Sequence, residues 1–140
     1  PYTMLELNGE TVTELRRRGE PVIQGDMTDV QTLIHVGVRN ASVIIVAISD
    51  QTAIAQGVSS VRKLRPDALI VARTRYAKEA DIIASRGADV VVTEEYESSI
   101  QVFVTVLEHL GVERDIISAQ EEVMRLDHYG LLGRLQRSQQ

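Results

Sequence analysis

An alternation limits what this chain can fold into more than any other feature. Five short, strand-type apolar runs are each followed by a segment whose apolar residues repeat with helical period. Residues 2–7 read as a strand, and Asn8 can cap the helix that follows, with Glu10 near its positive end. That helix sets Val12 and Leu15 on one face and stops at Gly19. Residues 21–24 form a second strand, closed by Gly25 and Asp26, before a short helix with Val30, Leu33 and Ile34 inward that ends near Gly37. Residues 42–48 (SVIIVAI) are almost continuously apolar, the pattern of a central parallel strand buried on both faces. The helix expected over 51–65 repeats Ile54, Val58, Val61 and Leu64, and Pro66 marks its end. Residues 68–72 give a fourth strand with Arg73 at its carboxyl end, then a helix over 77–86 with Ala80, Ile83 and Ala84 inward, stopped by Gly87. Residues 88–92 give a fifth. Thr93 then caps a helix with Glu94 and Glu95 in its first turn and Ile100, Phe103, Leu107 and Leu110 on its apolar face, ended by Gly111.

Strands separated by helices pair in parallel, through crossovers that are almost always right-handed. The expected fold is therefore α/β: a doubly wound, Rossmann-like parallel sheet with helices on both faces and an additional C-terminal helix. The 140 residues suffice for one domain, assigned to residues 1–111, with a helical tail over 112–140. In the tail, Ile116, Val123, Leu126, Leu131 and Leu132 are weakly amphipathic, fit for docking on the same domain, a second copy or another partner. Residues 137–140 are expected to fray.

Composition narrows the chemistry. With four Tyr, one Phe and no Trp, the chain has few rings on which bases could stack, and its net charge of −5 is opposite to the field a nucleic-acid binder carries. The run Arg16–Arg17–Arg18 sits on a helix as a solvated face. The absence of cysteine excludes disulfides, thiolate metal sites and thiol catalysis. No apolar run approaches the roughly 20 residues that span a bilayer.

In doubly wound sheets ligands bind beyond the carboxyl ends of the strands. There the sequence sets Glu6, Leu7 and Asn8; then Gly25, Asp26, Met27 and Thr28; then Ser49 and Asp50; then Arg73, Thr74 and Arg75; and finally Thr93 and Glu94. An acidic residue at Glu6 suits the two ribose hydroxyls of an adenosine, or is a surface glutamate placed by alternation. Asp26 can accept from an adenine amino group, or simply cap the next helix. Arg73 and Arg75 suit an anion, a carboxylate at a dimer interface, or a surface ion pair. His35, His109 and His128 are scattered and read as structural or solvated. Glu94, Glu95 and Glu97 read as helix-dipole acids rather than metal ligands. No catalytic set stands out, and none is assigned.

A dinucleotide fold holds its pyrophosphate on a G-x-G-x-x-G turn, and no such turn occurs in these residues. If Glu6 is the ribose acid, that turn is expected about 20 residues before it. The expectation is thus a domain without its first strand and glycine loop, with unpaired edges on either side of the missing strand.

Several blocks then agree, in order, with one family: the ELN end of the first strand, the GD turn, the AISD strand end, ARTRY, and the segment from GAD to EE. Residues 2 to about 111 resemble the N-terminal lobe of regulator-of-potassium-conductance (TrkA-N) domains, in the version attached to Kef-type potassium-efflux, monovalent cation:proton antiporters. The resemblance implies a regulatory domain, not an enzyme, on the cytoplasmic side of the cell membrane. It implies binding of NAD(H) or an adenine nucleotide such as AMP, a homodimer, and gating of a transmembrane transporter. It would make Glu6 the ribose ligand with Asn8 beside it. It sets Asp26, Met27 and Thr28 by the adenine, Ala47, Ser49 and Asp50 along the cleft, and Arg73 at the cleft or dimer side. The rival readings are a dimerising module with no working nucleotide site and a remnant NAD-dependent oxidoreductase domain.

Overall fold

The computed structural model describes the backbone of residues 1–137 and the side chains of residues 1–126. Its elements run β1 (Met4–Glu6), α1 (Gly9–Arg17), β2 (Val22–Gln24), α2 (Val30–His35), a 3-10 turn (Val38–Asn40), β3 (Val43–Val46), α3 (Gln51–Leu64), β4 (Leu69–Thr74), α4 (Ala77–Ser85), β5 (Val90–Thr93), α5 (Glu94–His109) and α6 (Arg114–Arg137). The alternation is as the periodicity predicts. Most strands are shorter than their apolar runs, but β4 is longer and takes in Arg73 and Thr74.

All pairing is parallel, in two pieces. β1 pairs with β2, with Glu6 opposite Gln24. β3, β4 and β5 form the second piece, with Ile45 opposite Val71 and Val71 opposite Val90. β1 and β3 each pair on one side only among the described residues, which is where the sequence leads one to expect unpaired edges.

The core lies on one face of the three-stranded piece. Ile54, Val58 and Val61 of α3 and Ala80 and Ile83 of α4 cover Val46, Ile70, Ala72 and Val91, all buried. The opposite face is open among the described residues: Ile45 is 72% exposed, Val43 53%, Val90 45% and Leu69 44%. This corrects the expectation that residues 42–48 are buried on both faces. A near-continuous apolar run records what each face of a strand can bury, not whether an element covers it.

Other inward assignments change for the same reason. Val30, Phe103 and Leu110 are exposed, although Leu33 and Ile100 are buried as expected. In α6, Ile116, Val123 and Leu126 are exposed, while Ile117 is buried and the helix packs along α5. His128, the Leu131–Leu132 pair and the fraying end fall wholly or partly outside the described residues.

Candidate functional site

Two groups of residues form at the carboxyl ends of the strands. The first joins β1 and β2. Asn8 has extended backbone and caps α1 as predicted, its Oδ1 accepting from the N–H groups of Glu10 (2.9 Å) and Thr11 (3.1 Å). That cap turns the chain so that the Asn8 N–H donates to Glu6 Oε1 at 2.7 Å. One carboxylate oxygen of Glu6 is thereby fixed, and the half-exposed group keeps acceptor capacity for a diol. The Gly25 N–H donates to the Glu6 carbonyl (3.0 Å), so the turn after β2 is tied to the end of β1. A Cβ at Gly25 would run into Thr32 Cγ2 and crowd Leu5, which explains the glycine.

Asp26 does not cap α2. Asp29 does, with Oδ2 accepting from the Thr32 N–H and hydroxyl at 2.9 and 2.6 Å. The chain needs three further residues after Asp26 to turn into α2, and the acid nearest the helix takes the role. Asp26 Oδ1 instead accepts from the N–H and hydroxyl of Thr28, both at 2.8 Å, closing a tight turn. The Thr28 N–H, then its hydroxyl, hold the Asp26 carboxyl below its ordinary value. The Thr32 hydroxyl, then its N–H, do the same for Asp29. Met27 is half-buried against the core, its methyl close over the face of α3 at Gly57, where a side chain would collide with it.

The second group joins β3, β4 and α5. Asp50 caps α3 through the Ala53 N–H (2.7 Å), and Ala47, Ser49 and Asp50 are exposed. Arg73 Nη2 donates to the Ala47 carbonyl at 2.9 Å, and Nη1 is 2.7 Å from Glu94 Oε1. Below it, the buried Thr74 hydroxyl donates to Glu79 Oε2 (2.9 Å) and meets the Gln51 side-chain amide at 3.1 Å, which pins the start of α3 to β4 and α4. α3 connects the groups: it begins at Asp50, and its Gln56 and Gly57 meet Thr28 and Met27.

The structure thus brings together Glu6, Asn8, Asp26 and Thr28 on one side and Ala47 and Arg73 on the other. It turns Met27 toward packing. Residue reading missed Glu94 as the partner of Arg73; a first-turn acid following the neighbouring strand is the signal that could have found it. Arg75 lies over the Tyr76 ring, 5.7 Å from its centroid. His35 and His109 are exposed. Among the described residues no cluster of His, Cys, Asp and Glu could hold a metal, and no helix is long and apolar enough to cross a membrane. The first group fits the adenosine part of a nucleotide, in that an acceptor carboxylate and a polar turn sit on adjacent strand ends. For phosphates the sequence offers no glycine turn, and the guanidinium of Arg73 is already engaged.

Comparison with known proteins identifies the family and the fold. The chain is 31% identical over 109 residues to the glutathione-regulated potassium-efflux system protein KefC of Cronobacter sakazakii, covering 78% of this chain and 18% of that one. It spans a fifth or less of the length of the curated relatives it matches. A Kef C-terminal domain of Shewanella denitrificans in its AMP-bound form superposes with a TM-score of 0.75 at 18% identity, over 96% of this chain and 97% of that one. The GsuK channel bound to NAD superposes with a TM-score of 0.58 at 26% identity, over 63% of this chain and 16% of that one. The TrkA-N domain family matches residues 1–94, and the chain belongs to that family.

Proposed function

We propose that this domain reads an adenine nucleotide and regulates a potassium-efflux, cation:proton antiport transporter. It acts as a ligand-biased switch, not as an enzyme. The observation that carries this reading is the pair of acids on adjacent strand ends, Glu6 fixed by the Asn8 N–H and Asp26 held in its turn by Thr28. Glu6 accepts hydrogen bonds from the ribose hydroxyls, with Asn8 positioning it. Asp26 and Thr28 face the adenine, and Met27, packed on α3, backs their turn. Ala47, Ser49 and Asp50 line the cleft, and Arg73 takes an anionic group. When bound, NAD(H) or AMP supplies binding energy and no chemistry; it favours one arrangement of a domain dimer and so biases the transmembrane part. The domain works on the cytoplasmic side of the membrane.

Calorimetry with AMP, ADP and NADH tests this. Binding by the wild-type chain, with a loss of about tenfold or more in Glu6→Gln, is expected, because a hydrogen bond to a charged acceptor is worth about 1.5–3 kcal/mol. Binding unaffected by that change would contradict the role of Glu6.

A second reading rests on a specific observation. Val102 and Val106 of α5, Leu110 at its end, and Ile116, Val123 and Leu126 of α6 are all exposed. They favour a dimerising module, and in this reading the strand-end site has no part. A concentration-dependent dimer, with no nucleotide bound, would support it.

A further inference from the structure

Arg73 is a cation at the strand ends, and it is occupied. Its guanidinium has one terminal nitrogen on the Ala47 carbonyl and the other on Glu94, so an anion approaching that nitrogen competes with the Glu94 carboxylate. The pair is reachable, with the Arg73 side chain 43% exposed and that of Glu94 40%. A carboxylate presents to a guanidinium the same planar pair of acceptors that a phosphate does.

Glu94 is also mechanically placed. It opens α5, and the acids beside it hold two further elements. Glu95 Oε2 accepts from the Ala77 N–H at the start of α4 (3.0 Å). Glu97 Oε2 is 2.9 Å from Arg125 Nη2 of α6. One helical turn therefore clasps the end of β4, the start of α4 and the flank of α6.

We propose that Glu94 is a built-in competitor for the ligand's anionic group. Without ligand its carboxylate holds Arg73; a phosphate of the bound nucleotide takes its place; and the α5 turn, once released, loosens α6 through the Glu97–Arg125 pair. This inference rests on the nucleotide reading and adds to it a self-inhibiting contact and an outgoing connection.

The test pairs calorimetry with hydrogen exchange on the 140-residue chain, using ADP as probe. An exposed ion pair is worth up to about 1 kcal/mol, so Glu94→Gln should tighten ADP binding by about fivefold. Glu95→Gln removes the same charge without touching Arg73 and should change binding less than about twofold. In an Arg73→Gln background the effect of Glu94→Gln should vanish. ADP should speed exchange of the α6 amides over 114–126 in the wild type, and Glu94→Gln should show that faster exchange before any ligand is added. Equal or weaker ADP binding by Glu94→Gln, or an effect of the same size from Glu95→Gln, overturns the competition. Unchanged α6 exchange in both the liganded wild type and Glu94→Gln overturns the relay. If neither form binds ADP, the nucleotide reading fails, and the same comparison with inorganic pyrophosphate decides the competition: tighter binding by Glu94→Gln upholds it, and equal or absent binding overturns it.

Discussion

Gly25 shows at one residue how local geometry sets the site. Its N–H ties β2's exit to the Glu6 carbonyl, and a Cβ there would strike the branched side chain of Thr32. Gly25→Ala should therefore destabilise the fold by about 1–3 kcal/mol in urea titration, since a β-branched neighbour yields poorly to overpacking. Asp26 and Asp29 give a pH signature. Both have carboxyl pKa values lowered by hydrogen bonds from Thr28 and Thr32. The folded state then binds fewer protons than the unfolded one through the carboxylate range. Their stabilisation is complete above the ordinary carboxylate pKa and is lost as pH falls through the lowered values. Asp29→Asn keeps an acceptor but not the titration, so the acid limb of stability against pH should flatten. An unaltered limb would assign it to other groups. The capping role of Asn8 was legible from its place before a helical period, whereas the choice between Asp26 and Asp29 was not, because both are acids just ahead of the same helix. Distance to the first turn decides it, and only the path of the turn supplies that distance.

At the level of elements, the alternation of strand and helix was legible because five runs share it and each carries its own stop signal. The cover on each face was not. Residues 42–48 read the same whether a helix lies over Ile45 or water does, since an apolar side chain states only what it would bury. The open face yields a contrast measurable in the 140-residue chain. Ile70→Ala, under α3 and α4 with no exposure, should cost about 2–5 kcal/mol, and Ile45→Ser, 72% exposed, within about 0.5 kcal/mol. Equal losses in thermal or chemical denaturation would show that Ile45 is packed in solution. The first turn of α5 makes the same point from the polar side. Glu94, Glu95 and Glu97 are acids where the helix dipole favours them, so their composition has a sufficient local cause. Their connections to Arg73, Ala77 and Arg125 are long-range and appear only once the elements are placed.

For the whole molecule, a domain of the TrkA-N family carries two groups of polar residues at its strand ends, connected through α3, and a last helix paired to α5. In the proposed switch, adenosine is read at Glu6 and Asp26, the anionic end is contested between ligand and Glu94 at Arg73, and α6 carries the result away. The decisive measurement is a titration of the 15N-labelled chain with AMP, followed by amide chemical shifts. Saturable shifts should concentrate at residues 6–8 and 26–28, with a second set at 73 and 94. Shifts absent from residues 6–8 and 26–28 at saturating AMP, or confined to the exposed flank of α5 and α6, would refute the strand-end site.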